Sequence, residues 1–132
     1  MSVSILVVDD EADAGELFRQ RFRHEVRNGT YVVHCAYSSS EALTLLSEGV
    51  APPLIVILSD INMPGMDGLD LLGEIKGRWP KLPVIMVTAY DDCGRRQRAS
   101  ELGALEFLTK PVDFDYLKAQ LHGLRRLPIA PD

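Results

Sequence analysis

The stretch LIVILSDINMPGMDG, Leu54 to Gly68, decides how this chain is read. Leu54–Leu58 is apolar at every position, and Asp60 follows one residue later, after Ser59 and ahead of a Pro/Gly-rich loop. A strand that is apolar throughout has both faces covered, as in a parallel sheet. An acid at the end of such a strand calls for a reason.

Working outward, the same kind of run recurs in ILVV near the N-terminus and in VIMV at Val84–Val87. Strands are expected at Ser4–Val8, Thr30–Ala36, Leu54–Leu58, Pro83–Val87 and Glu106–Thr109. Helical segments fall between them. Ala14, Leu17, Phe18, Phe22 and Val26 form a stripe on one helix over Ala12–Val26, ended by Asn28–Gly29. Ser38–Glu41 has capping-box spacing and opens a helix to Glu48. Leu69–Trp79 is helical and closed by Pro80, and Asp92–Leu102 is stopped by Gly103. Phe114, Leu117, Leu121 and Leu124 share one face of a last helix. Five β/α units in succession imply an α/β fold with helices on both faces of a parallel sheet. Residues 1–126 are expected to form the domain and 127–132, with two prolines, a tail or the start of a linker.

The chain has 132 residues, one domain's worth, and a net charge of −5. That charge argues against a general nucleic-acid surface. One basic run, CGRRQRAS, places Arg95, Arg96 and Arg98 together; it reads as a solvated helix face or as a docking patch. No apolar run reaches the ~20 residues of a membrane span, and no signal peptide opens the sequence, so a soluble cytoplasmic protein is expected. Cys35 and Cys93 fit no metal spacing and read as reduced thiols.

The working site of an open α/β sheet lies beyond the carboxyl ends of its strands. Asp9, Asp10 and Glu11 follow the first strand, Asp60 the third, Thr88 and Ala89 the fourth, and Lys110 and Pro111 the fifth. With the first and third strands as neighbours, Asp9, Asp10 and Asp60 meet. Three carboxylates that close do not all ionise unaided. A hard divalent cation resolves the conflict, and Mg²⁺ takes oxygen ligands, including a main-chain carbonyl such as that of Asn62. Asp9 and Asp10 also read as simple caps of the first helix. A cation beside a free carboxylate suits phosphoryl transfer onto that carboxylate, with Lys110 and Thr88 placed to receive the transferred oxygens.

These residues resemble the receiver domain of two-component response regulators. The resemblance rests on VVDDE, LSDINMPGMDGLDLL, VIMVTAY and FLTKP, in that order, and covers essentially the whole chain. It implies a flavodoxin-like doubly wound sheet of five parallel strands, order 2-1-3-4-5, with five helices. It implies that Asp60 takes a phosphoryl group from a phosphohistidine on a histidine kinase or phosphotransfer protein. Asp10 would be the main acidic ligand of Mg²⁺, Asp9 would hold ordered water, and Asn62 would give its main-chain carbonyl. Lys110 would pair with Asp60, and Thr88 would swing toward the phosphoryl oxygens. Phe107 matches the family's switch aromatic, and the Lys110–Pro111 bond would be cis. Asn62 and Tyr90 would set phosphoryl lifetime, the bulky Tyr90 shielding the group from water. The output surface would be the fourth helix, fifth strand and fifth helix, through which a homodimer is plausible. The resemblance implies no enzyme turning over a separate substrate, no nucleic-acid contact and no membrane. A second reading makes the chain the receiver of a longer regulator with an effector such as a nucleotide cyclase or phosphatase.

Three rivals fit less well. A flavodoxin-like cofactor carrier needs a phosphate-cradling loop where this chain has DDEAD. An aspartyl phosphohydrolase would carry a second Asp where Asn62 stands. A pseudo-receiver serving only as an adaptor would not need the complete set Asp9, Asp10, Asp60, Thr88 and Lys110, and a nucleotide switch is excluded by the lack of GxxxxGK[ST].

Overall fold

The computed structural model describes residues 2–89 and 93–126, the side chains of Arg125 and Arg126 excepted. Tyr90, part of the helix start expected at Asp92, and the 127–132 tail lie outside the described residues.

Five strands form one parallel sheet: β1 (Val3–Val8), β2 (Tyr31–Ala36), β3 (Leu54–Asp60), β4 (Val84–Thr88) and β5 (Glu106–Thr109). Their order is β2-β1-β3-β4-β5, as the resemblance implied. The three central strands alternate their side chains between two cores. Leu6, Val8, Ile57, Val84 and Met86 point to one face. Ile5, Val7, Val56, Leu58, Ile85 and Val87 contribute to the other. Each fully buried Leu or Ile contributes roughly 1.5–3 kcal/mol from apolar burial, so continuous apolar strands fix the sheet at the centre of the molecule.

Helices α3 (Ser39–Glu48), α4 (Gly68–Arg78) and α5 (Cys93–Glu101) cover the first core, and Ala42, Leu71, Leu72, Ile75 and Ala99 reach into it. The Ser38 half of the capping box forms, with Ser38 Oγ accepting from the Glu41 N–H at 3.0 Å. Asp67 does the same for α4, accepting from the Asp70 N–H at 2.9 Å. Gly29 and Gly103, expected to stop helices, both have positive φ, 79° and 96°.

The second core carries the one departure from the expected element list. The helix anticipated over 12–26 is two: α1 (Ala12–Arg21) and α2 (Arg23–Arg27). With α6 (Phe114–Arg126) the helices number six among the described residues, not five. Phe22, at φ −100° and ψ 9°, is the break. Its ring is fully buried and meets Tyr31 and Phe114 edge-on, at 5.8 and 6.2 Å between centroids. Tertiary packing of that ring takes precedence over straight helical propagation. The hydrogen bonds still run through the break, from the Phe22 N–H to Phe18 O and from the Val26 N–H to Phe22 O, both 2.9 Å. The buried face is consequently Gly15, Phe18 and Phe22, while Leu17 and Val26 are exposed at 41% and 42%. Because of the extra helix, the expected fourth-helix/fifth-strand/fifth-helix face is α5, β5 and α6 in this numbering. Among the described residues no helix is long and apolar enough to cross a membrane.

Candidate functional site

Asp60 is the last residue of β3 and is still in register, opposite Val87 of β4. Strand pairing therefore carries the carboxylate to the sheet rim while leaving it buried. Its Oδ1 accepts from the Ile61 N–H at 2.9 Å. Next door, β1 ends at Val8, paired with Ser59, so Asp9 and Asp10 arrive beside Asp60. Asp9 is buried and Asp10 exposed, and one carboxylate oxygen from each of the three lies within 4.8 Å of the others.

Lys110 follows β5. Its Nζ donates to Asp9 Oδ2 at 2.9 Å and lies 3.8 Å from Asp60 Oδ2. The other Asp9 oxygen accepts from the Glu11 N–H at 3.0 Å. Asp9 is thus held on both oxygens by the protein, which leaves Asp10 and Asp60 as the carboxylates better placed to meet a cation. The Lys110–Pro111 bond is cis. Thr88 ends β4, fully buried, paired in register with Thr109 and accepting the Lys110 N–H on its carbonyl at 2.7 Å. Asn62 sits in the loop beyond Asp60, with its side chain exposed. Phe107 lies in β5, 8% exposed.

Charge in this pocket is out of balance. Burial pushes the Asp60 carboxyl above its ordinary range, and the Asp9 charge adds to this. Lys110 and the Ile61 and Asn62 backbone N–H groups pull down without winning. Burial also disfavours the Lys110 ammonium. Its hydrogen bond to Asp9 and the charges of Asp60, Asp9 and Glu11 outweigh that and raise it, so it stays charged. Three oxygen donors with excess negative charge fit a hard divalent cation such as Mg²⁺.

A stability prediction follows from Asp60. Its raised value means that the folded chain keeps a proton the unfolded chain has already lost. Stability therefore falls as pH rises from the ordinary carboxylate value through the raised one. In metal-free buffer near neutral pH, Asp60→Asn removes this penalty and is expected to raise the thermal midpoint by a few degrees. Added Mg²⁺ is expected to raise the midpoint of the unaltered chain and to do much less for Asp60→Asn. Thermal melts with and without Mg²⁺ check both.

Three features of the site had no clear sign in the sequence. Gly68 opens α4 hard against the Asp60 main chain: a Cβ there would stand 2.0 Å from Asp60 O and 2.7 Å from Ile61 Cα. The DG pair in PGMDG is its only trace. Arg95 donates to Asn62 Oδ1 at 2.5 Å. Arg96 stacks its guanidinium 4.5 Å from the centre of the Phe107 ring. The basic run is therefore not simply a solvated face, because two of its three arginines turn back toward the site.

The chain is 37% identical over 120 residues to the transcriptional regulatory protein ZraR of Escherichia coli K12, covering 91% of this chain and 26% of ZraR. It thus spans about a quarter of that relative's length. A response regulator receiver domain protein from Clostridium thermocellum superposes with a TM-score of 0.81 at 30% identity, covering 92% of this chain and 93% of that one. The response regulator TrrA of Thermotoga maritima, solved in complex with Mg²⁺-BeF, superposes with a TM-score of 0.77 at 33% identity over 92% and 97% of the two chains. The family model for the response regulator receiver domain matches residues 5–122, nearly the whole sheet and its helices. The chain belongs to that family, the phosphoacceptor domains of two-component signalling.

Proposed function

We propose that this domain is a phosphorylation-dependent switch whose acceptor is Asp60. The observation that carries the reading is the meeting of Asp9, Asp10, Asp60 and Lys110 at the rim, with the Asp60 carboxylate buried and only partly compensated by Lys110. A carboxylate oxygen of Asp60 attacks phosphorus in a phosphohistidine of a histidine kinase or phosphotransfer protein. The P–N bond breaks and its electron pair leaves with the imidazole. Water later attacks the same phosphorus, returning the carboxylate and releasing phosphate. Chemistry of this kind is carried out on the domain itself, with no separate substrate turned over.

Asp10, Asp60 and the Asn62 main-chain carbonyl would hold Mg²⁺, which when bound neutralises charge on the phosphoryl oxygens. Lys110 offers those oxygens an ammonium already within reach of Asp60, and Thr88 offers a hydroxyl. The added group carries about −1.5 to −2 charge. Movement of Thr88 toward it would open room for Phe107, whose ring now has the Arg96 guanidinium stacked on it. The α5–β5–α6 face would change in consequence, as a shift between two states. Leu105 and Tyr116 are exposed apolar side chains on that face, where a second copy would pair. In this reading the protein works in the cytoplasm, beside its kinase.

A second reading makes the chain the receiver of a longer regulator carrying an effector, for example a nucleotide cyclase or phosphatase. It is suggested by ZraR, a transcriptional regulatory protein of which a segment like this chain makes up only 26%.

The test is incubation with acetyl phosphate and Mg²⁺, followed by intact-mass spectrometry. One phosphoryl group is expected, lost slowly on standing and not gained when a chelator replaces Mg²⁺. Uptake unaffected by the chelator would count against the site.

A further inference from the structure

We infer that Arg95 is a positioning residue for the phosphoryl group, acting through Asn62 to set how long the aspartyl phosphate survives. The inference rests on the phosphoacceptor reading of Asp60 and extends it to a residue on a different element.

The Ile61 N–H hydrogen-bonds the Asp60 carboxyl at 2.9 Å, so the chain turns around the acceptor just before Asn62. The Asn62 side chain is exposed, and an exposed amide on a loop would ordinarily rotate freely. Arg95, one turn into α5, donates to its Oδ1 from 33 residues away in sequence. A guanidinium has donors only, so the amide oxygen must be the atom that faces it. The contact therefore fixes which way the amide lies. What Asn62 can then offer to anything beside Asp60 is its Nδ2 group, a pair of donors.

Donors suit phosphoryl oxygens, and an amide held this way keeps its oxygen on the guanidinium rather than free to turn and orient an attacking water. Without Arg95 the amide can turn, its oxygen becomes available to water, and hydrolysis should speed up. The contact also ties α5 to the loop that carries the acceptor. Arg96, the next residue, stacks on Phe107, so adjacent arginines reach both the acceptor loop and the switch aromatic.

The experiment compares loss of the acetyl-phosphate label, after donor removal, in the unaltered chain and in Arg95→Ala, Arg95→Lys, Asn62→Ala and the Arg95→Ala/Asn62→Ala double variant. Arg95→Ala is expected to lose its label about three- to tenfold faster, the scale of one solvent-exposed hydrogen bond. Arg95→Lys, still a donor without an acceptor, is expected to restore most of the lifetime. Asn62→Ala removes the amide oxygen together with the donors, so it should lose its label no faster than Arg95→Ala, and adding Arg95→Ala to it should change nothing further. Asn62→Ala removes the same contact from the loop side, so the comparison survives a folding defect in one variant. Equal lifetimes for Arg95→Ala and the unaltered chain would overturn the inference, as would effects that multiply in the double variant. An unaltered chain that takes no label would overturn the phosphoacceptor reading itself. A labelled chain whose lifetime ignores Arg95 would overturn only this step.

Discussion

Gly68→Ala is expected to destabilise the fold by about 3 kcal/mol and to deprive Asp60 of its place. The cause is space. A Cβ at this position would stand 2.0 Å from Asp60 O, 2.7 Å from Ile61 Cα and 2.8 Å from Asp60 C. All three are main-chain atoms, so no side chain can swing aside. Relief has to come from moving β3 away from the start of α4. That would strain the Gly68 N–H to Ile61 O bond, 2.8 Å long, and the register of Asp60 against Val87. The loss should appear twice, as a lowered urea midpoint and as weakened acetyl-phosphate labelling in whatever fraction stays folded. An alanine variant with unchanged midpoint and full labelling would show that the loop has slack this packing does not reveal.

Lys110→Ala is expected to slow phosphoryl uptake by about 10²-fold, the usual scale for removing one preorganised charge-stabilising group. Two effects combine. The ammonium lies 3.8 Å from Asp60 Oδ2, close to where phosphoryl charge would arrive under the proposed function. It also pulls the Asp60 carboxyl down against burial. Without it Asp60 holds its proton to higher pH, so the slowing should be worst on the acid side of neutrality and ease as pH rises. Initial labelling rates against pH check this. A rate equal to that of the unaltered chain would remove Lys110 from the chemistry.

Much of the fold could be read because its signal is local. The strands β1, β3 and β4 are apolar on both faces, and only a covered parallel sheet needs that. The break at Phe22 could not be read. Along the sequence Leu17, Phe22 and Val26 continue a helical stripe, and only the Tyr31 and Phe114 rings, brought from elsewhere, decide that Phe22 ends one helix and starts another. The site divides in the same way. Asp9, Asp10, Asp60, Thr88 and Lys110 were legible because each ends or follows a strand, and an α/β sheet gathers strand ends. Arg95 and Arg96 sit in a run of like charge where no neighbour marks the two that turn inward. Gly68 was missed because its constraint is a main-chain contact across a loop, and a glycine in a PGMDG stretch looks like any turn residue.

The central claim is that the transferred group resides on one carboxylate. Borohydride reduces an aspartyl phosphate to homoserine with release of phosphate, leaving a permanent mark that peptide mass spectrometry can place. After acetyl phosphate and Mg²⁺, homoserine is predicted at residue 60, with none there in Asp60→Asn. Homoserine at any other aspartate of the unaltered chain, with residue 60 unmodified, would contradict the account.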